Sequence, residues 1–243
     1  MAKQRRYKVT KKHHTRLSSM QVDARLRAAG IPANGQSIRQ VSATEFHRAI
    51  VAGKANYPKE KGWMVDVHSI SQYRNYRCYL TADGKSGVAI HTGRGKTQQE
   101  RAHKGDVVSL FAAEKGTNAM GKLIPFAVAN GGRKLDCYGD GLQDRYARYG
   151  ARATGRVLFS EDALSEDTEW EPSFGRPDVV AMTLPSSLEE VIKQYNPKAE
   201  INFSKVHLYK GQGEEPYIKM IADRDLQIEN RRTGSTEKAG RYT

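Results

Sequence analysis

Between residues 106 and 159 the chain places groups capable of proton transfer and anion binding at the junctions of predicted elements. These are Asp106, Glu114, a turn over residues 116–121 bounded by Gly116 and Gly121, and Tyr146, which stands four residues before Gly150. Glycines ahead of a helix let the backbone approach a ligand closely, and the unpaired N–H groups and positive dipole end of the first turn favour an anion there. Carboxylates at the ends of a strand can accept a proton, and a phenol can give one. The combination therefore allows proton transfer beside a bound anionic group.

Other reactive side chains read more plainly. Cys137 has no histidine placed by sequence to activate it and reads as a small buried hydrophobe. Asp136 is a site carboxylate or a solvated acid at a strand edge. His13 and His14 sit in a basic stretch without metal-ligand spacing, and His68 and His91 read as structural or surface residues. Cys78 and Cys137 are the only cysteines, which indicates neither a disulfide framework nor a zinc site, and no metal is expected.

The elements that must position these groups alternate in type. Val107, Val108, Leu110, Phe111 and Ala112 form a short β-branched apolar run, a buried strand. Met120, Leu123, Ile124, Ala127 and Val128 recur at helical spacing over residues 119–130, with Gly131 and Gly132 as the stop. Pro125 lies inside that stretch, where it removes one backbone hydrogen bond. Residues 134–138 read as a strand, 142–149 as a helix closed by Gly150, and 154–159 as a strand. Upstream, residues 78–81 and 87–91 pair about an Asp83-Gly84 turn, and residues 63–67 read as a strand. Helices are expected over 18–29 and over 42–52, the latter with Ser42 as N-cap and Glu45 at the capping-box spacing. Residues 92–104 read as an exposed loop and 160–177 as a long connection folding over the cleft. Further on, a strand is expected over 178–184, a helix over 187–195, strands over 205–209 and 217–221, and a polar tail from 229. The fold class is α/β (α+β), with a mixed, mostly antiparallel central sheet flanked by helices. The divisions are a basic arm (1–16), a helical segment (17–62), a core (63–184), a helix and strand extension (185–228) and the tail (229–243).

The core segment resembles the GNAT superfamily of acyl-CoA-dependent N-acyltransferases. The residues that carry the likeness are the 116–121 turn before a helix, the strand KLDCYG, and Tyr146-Ala-Arg-Tyr-Gly150 leading into a further strand. The wording NGGRKLDCYGDGLQDRYARYG followed by GRPDVVAM is similar to members carried by bacteriophages and prophages. The resemblance implies acetyl-CoA or another acyl-CoA as co-substrate, held by Leu110, Phe111, Gly116, Thr117, Asn118, Ala119, Gly121 and Lys122. It implies Tyr146 as donor of a proton to the departing thiolate; Glu114 and Asp106, from their position beside the central strand, would take the amine proton. The turn EKGTNAMGK departs from the family pattern, an Arg or Gln, two residues, Gly, one residue and Gly or Ala. That departure supports a second expectation, a GNAT-like phage accessory or virion-associated protein without catalysis.

Composition sets the remaining expectations. The 243 residues include 40 Lys and Arg against 27 Asp and Glu, a net charge of +13, which attracts polyanions such as nucleic acid. Lys3, Arg5, Arg6, Lys8, Lys11, Lys12 and Arg16 form an acid-free arm suited to phosphates or to phage structural proteins, and the overall charge points to an anionic or nucleic-acid-bound acceptor. No stretch is apolar for the length of a bilayer span and the N-terminus lacks a signal-peptide pattern, so a cytoplasmic product without membrane contact is expected, in the host cell or a virion if phage-encoded.

Overall fold

The computed structural model describes residues 16–33, 35–114, 118–164, 168–211 and 213–234. The arm residues Lys3, Arg5, Arg6, Lys8, Lys11 and Lys12, the turn residues Gly116 and Thr117, and residues 235–243 of the tail lie outside the described residues; Arg16 is described and exposed.

The order of elements is α1 (Ser19–Ala28), β1 (Ile38–Val41), α2 (Ala43–Lys54), α3 (Lys59–Gly62), α4 (Ile70–Tyr73), β2 (Tyr76–Thr81), β3 (Ser86–His91), α5 (Gln98–Ala102), β4 (Val107–Ala112), α6 (Ala119–Ala129), β5 (Lys134–Tyr138), α7 (Leu142–Ala147), β6 (Arg152–Val157), β7 (Val179–Thr183), α8 (Leu188–Gln194), β8 (Leu208–Tyr209) and α9 (Glu215–Thr233). The fold is mixed α/β. Among the described residues the strands form two four-stranded sheets, β1-β2-β3-β4, fully antiparallel, and β5-β7-β6-β8, in which only β8 runs parallel to its neighbour.

The two sheets touch at one point. Asp106 and Lys134 form an isolated parallel bridge, and Arg133 N donates to Gly105 O at 2.8 Å. Beyond that point β4 and β5 do not pair. The result is a fork, closed at the N-terminal ends of β4 and β5 and open beyond.

Helix α6 explains much of this arrangement. Leu123, Ile124, Phe126, Ala127 and Val128 are buried around its whole circumference, as expected of a helix that is apolar on every side. It packs in the largest core cluster with Tyr79, Val88, Ile90 and Val107 of the first sheet and Leu135, Val180 and Met182 of the second. Pro125 is accommodated inside it. On the opposite face of the first sheet, Phe46 and Ile50 of α2 pack with Tyr73, Leu80, Ala89 and Phe111. On that of the second, Met220 of α9 covers Val157 and Ala181.

Local sequence accounts for most boundaries. Ser18, Ser42, Ser69, Thr97 and Ser187 each accept a backbone N–H three residues on, at the start of α1, α2, α4, α5 and α8, which satisfies a donor the helix cannot. Gly84, with φ of +70°, makes the β2–β3 turn.

Several expectations differ from the structure, first the single central sheet, which is two sheets bridged at Asp106 and Lys134, and the strand over 205–209, which is only Leu208–Tyr209. Residues 63–67 form no strand; Trp63 instead closes α3 and lays its ring against Tyr138, with centroids 4.7 Å apart. The expected loop at 92–104 contains α5, started by the capping box of Thr97 and Glu100. Ile38–Val41 adds β1 at the edge of the first sheet. Residues 217–221 belong to α9, which runs on to Thr233 through the start of the expected tail. Its buried positions are Pro216, Met220 and Arg224, a spacing of four that suits a helix and in which an arginine holds a core position.

Candidate functional site

The fork opens into a cleft of about 1880 Å³. Val107 to Leu110 of β4 and Leu135 to Tyr138 of β5 line it, with Arg145 and Tyr146 of α7 and Tyr217 of α9. The 160–177 connection lines it with Ser160, Asp162, Ala163, Leu164 and Thr168.

Successive residues of β5 face opposite ways. Leu135 and Cys137 turn toward the α6 core with Tyr146. Asp136 turns toward α9, where the Tyr217 hydroxyl donates to its Oδ2 at 3.2 Å and Arg224 Nη1 lies 3.9 Å from its Oδ1. The cleft thus has a phenol on one face of the strand and a carboxylate on the other.

On β4 the ladder is interrupted. Gly87 pairs with Phe111 and Ala89 with Val108, so Ser109 and Leu110 together oppose Val88, a β-bulge. Ser109 takes φ of +51°, a conformation that costs on the order of 1–3 kcal/mol for a non-glycine residue and concentrates at ligand sites. Its hydroxyl is held by Tyr73 Oη at 2.7 Å and donates to Asp66 O at 3.2 Å. At the far end of the strand the Tyr57 hydroxyl donates to Ala112 O and accepts from Ala112 N at 3.0 Å. Residues 57–63 cross the fork, since Lys61 is ion-paired with Asp140 beyond β5 and Trp63 rests on Tyr138.

The closed end of the fork is a buried charge network. Arg224, 1% exposed, donates to Asp106 Oδ1 at 3.2 Å, to Leu135 O at 3.2 Å and to Asp225 Oδ1 at 3.0 Å. Lys134 bonds to Asp225 and lies 3.7 Å from Asp106, whose other oxygen is 2.9 Å from His103 Nδ1.

These contacts decide where the residues singled out by sequence lie. Asp106 is at the base of the fork, within the charge network and outside the cleft lining. Glu114 is exposed and ion-paired with Lys85. Leu110 lines the cleft, whereas Phe111 faces away, with its ring centroid 5.8 Å from that of Phe46. Asn118 stands before α6 in the left-handed region, φ +47°, without a side-chain bond to the helix. Ala119 and Gly121 are buried, Gly121 with the Tyr149 hydroxyl and the Asn118 amide over it. Lys122 is 2% exposed and 3.5 Å from Asp23 of α1; burial pushes its ammonium below the ordinary lysine value. Tyr146 is 5% exposed and lines the cleft. No hydrogen bond to its hydroxyl forms among the described residues.

Burial governs the titration of the cleft groups. It pushes the Tyr146 phenol far above the ordinary tyrosine value, with Cys137 adding to the effect and Arg145 opposing it. The Asp136 carboxyl keeps 39% of its side chain exposed within the cleft, and its pKa is raised, first by desolvation, with Arg224 acting against it. The Cys137 thiol is raised far as well, so it stays protonated and is a poor nucleophile. The phenol therefore holds its proton, and the carboxylate binds one more readily than a solvated acid.

Sequence reasoning weighed Asp136 but passed over Tyr57, Ser109, Tyr217 and Arg224. Only Arg224 had a usable signal, its place in the 216, 220, 224 spacing. Among the described residues no cluster of three or more His, Cys, Asp or Glu could hold a metal ion, and no helix is long and apolar enough to cross a membrane. The chain matches no protein-family model, no curated protein and no solved structure.

Proposed function

We propose that the chain is an acyl-CoA-dependent N-acyltransferase of GNAT-like architecture. The observation that carries this reading is the fork: two strands joined at one end and diverging around a cleft, with a buried phenol on one face and a raised carboxylate on the other.

Diverging strands leave backbone N–H and C=O groups facing the gap. An extended ligand bearing amides, such as the pantetheine arm of coenzyme A, can pair with them as an added strand does. The bulge at Ser109 turns the backbone of β4 at that point, as bulges beside reacting centres do. Arg145 and Lys54, both in the lining, offer cations to phosphates.

A thioester is already activated, so the protein has mainly to orient the amine and move protons. Asp136 takes the proton that the acceptor ammonium must lose before its nitrogen can attack the carbonyl carbon. As the C–N bond forms and the C–S bond breaks, Tyr146 gives its proton to the sulfur. The phenolate then recovers a proton from the new amide nitrogen, and the buried phenol regains its stable neutral form. Asp106 acts at a distance, fixing the fork through Arg224 and Lys134.

A second reading, binding without catalysis, has its own support. Lys122 is engaged with Asp23 and Glu114 with Lys85, so these two charged residues near the start of α6 are committed to the protein. Titrating acetyl-CoA separates the two. A ligand present at 100 times its Kd and binding only the native state adds about 2.7 kcal/mol of stability, and the catalytic reading expects that rise in melting temperature. Tyr146→Phe should then lower turnover by about 10²-fold or more with acetyl-CoA affinity unchanged. Full turnover in a folded variant eliminates the proton-donor role, and no thermal shift with acetyl-CoA leaves the binding protein as the correct account.

A further inference from the structure

The surface over the closed end of the fork concentrates cations. Residues 92–104 carry Arg94, Lys96, Arg101 and Lys104 against one acid, Glu100, and all four cations are exposed. Lys134 Nζ donates to Ala102 O at 2.9 Å, which seats α5 over the base of the fork. Arg74, also exposed, stands beside the loop, because Asn75 O accepts from Thr92 N at 3.0 Å and from Thr92 Oγ1 at 2.7 Å.

A run of cations is commonly answered by acids, as Arg25, Arg39, Lys85 and Arg176 are, each meeting a carboxylate. Here the nearby acids are committed elsewhere. Glu100 turns back onto the backbone, its Oε2 accepting from Thr97 N at 3.0 Å and from Lys96 N. Those bonds, ahead of the nearby Lys96 and Arg101, hold its carboxyl below the ordinary value. Beneath the loop, Arg224 and His103 hold Asp106, and Arg224 and Lys134 hold Asp225. Among the described residues no ion pair forms to Arg74, Arg94, Lys96, Arg101 or Lys104.

The loop that carries these charges is also fixed. It turns at Gly93, φ +75°, where a side chain would meet the Lys104 stem at 2.9 Å. Arg101 Nη1 donates to Gly95 O at 3.2 Å and to Lys96 O at 2.9 Å, and the capping box of Thr97 and Glu100 starts α5. A partner meets a formed surface, so little ordering entropy is lost on binding. Residues 92–104 contain no Phe, Tyr or Trp, which leaves an unpaired base no such ring to stack on. A duplex instead presents one phosphate charge per about 1.7 Å of its axis and rewards clustered cations by counterion release.

We propose that this face binds the phosphate backbone of a nucleic-acid duplex without reading its sequence. Arg94, Lys96 and Lys104 contact phosphates, and Arg101 holds the loop while adding its charge. None of these residues lines the cleft, and the contact needs no acyl-CoA, so it stands independently of the acyl-transfer reading. It is distinct as well from the basic stretch in residues 1–16.

The test is fluorescence anisotropy of a labelled duplex of about 20 base pairs, titrated with the full chain over a series of salt concentrations. Arg94→Gln, Lys96→Gln and Lys104→Gln combined should weaken binding and lower the slope of log affinity against log salt by about 3, at about 0.9 per phosphate contact. A double variant, Arg94→Gln with Lys104→Gln, should lower it by about 2, and it serves if the triple variant melts early. A control with the exposed Lys59, Lys193 and Lys198 changed to glutamine removes the same charge and should leave the slope near that of the parent. Two duplexes of unrelated sequence should bind alike, and a single strand of the same length more weakly. An unchanged slope in both folded loop variants overturns the proposal by returning the binding to other residues. An equal fall in the control overturns it by making net charge the cause, and tighter binding of the single strand overturns the duplex as partner.

Discussion

Replacing Arg224 with methionine should destabilise the protein by about 3–5 kcal/mol, toward the lower end. The guanidinium is 1% exposed and satisfies Asp106, Asp225 and the Leu135 carbonyl at 3.0 to 3.2 Å. Methionine keeps much of the volume beside Met220, so the loss is mainly electrostatic: two carboxylates and a carbonyl lose their donor. Lys134, 3.7 Å from Asp106 and bonded to Asp225, compensates part of that charge, which argues for about 3 rather than 5 kcal/mol. In a chain of this size such a loss lowers Tm by roughly 6 to 12 °C, at about 2–4 °C per kcal/mol. Urea unfolding at neutral pH, read as a shift in midpoint at constant slope, is the assay. Adding Asp106→Asn should cost less than the two single changes summed, because one residue of an interacting pair is then already gone. A loss below about 1 kcal/mol for Arg224→Met, or strict additivity in the double variant, would refute the claim that this network ties α9 to the base of the fork.

Other expectations follow from neighbouring contacts. The His103 pKa is raised, chiefly by its hydrogen bond to Asp106, so its contribution is full below the unfolded value near 6.5 and is lost as pH rises through the folded one; the destabilisation caused by His103→Gln, followed by urea unfolding, should be present at about pH 5.5 and vanish by about pH 9. His91, depressed first by burial, has the opposite sign, and His91→Gln should relieve a cost at low pH, visible as a smaller loss of stability on acidification. Gly87→Ala should cost about 1–3 kcal/mol in thermal melts, since a Cβ there would meet Leu80 at 2.7 Å and Phe111 and the Tyr79 carbonyl at 2.8 Å. Deleting residues 1–16 should flatten the salt dependence of RNA or DNA binding in gel-shift titrations at two salt concentrations, and equal affinity with and without the arm would show that it does not carry that binding.

The chain's local patterns determined its elements wherever one residue type suffices to start, stop or bury a segment. Ser18 and Ser42 began helices, Gly131 and Gly150 followed their ends with positive φ, Asp83-Gly84 turned a hairpin, and the apolar runs of β4, α6 and β7 were legible because burial selects for hydrophobicity at a fixed period. Tyr146, singled out by its spacing to Gly150, lines the cleft. What sequence could not supply was which side of each strand meets which partner. Asp106 and Asp136 are acids at opposite ends of a short stretch, yet one is locked between Arg224, Lys134 and His103 and the other faces the cleft beside Tyr217. That difference depends on α9, whose Tyr217 lies 81 residues from Asp136 and whose core positions include an arginine that a hydropathy pattern counts as surface. The fork and the crossing of residues 57–63 likewise arise from groups far apart in the chain. Their pairing is set by long-range packing and by the need of buried charges for partners, which no local period encodes.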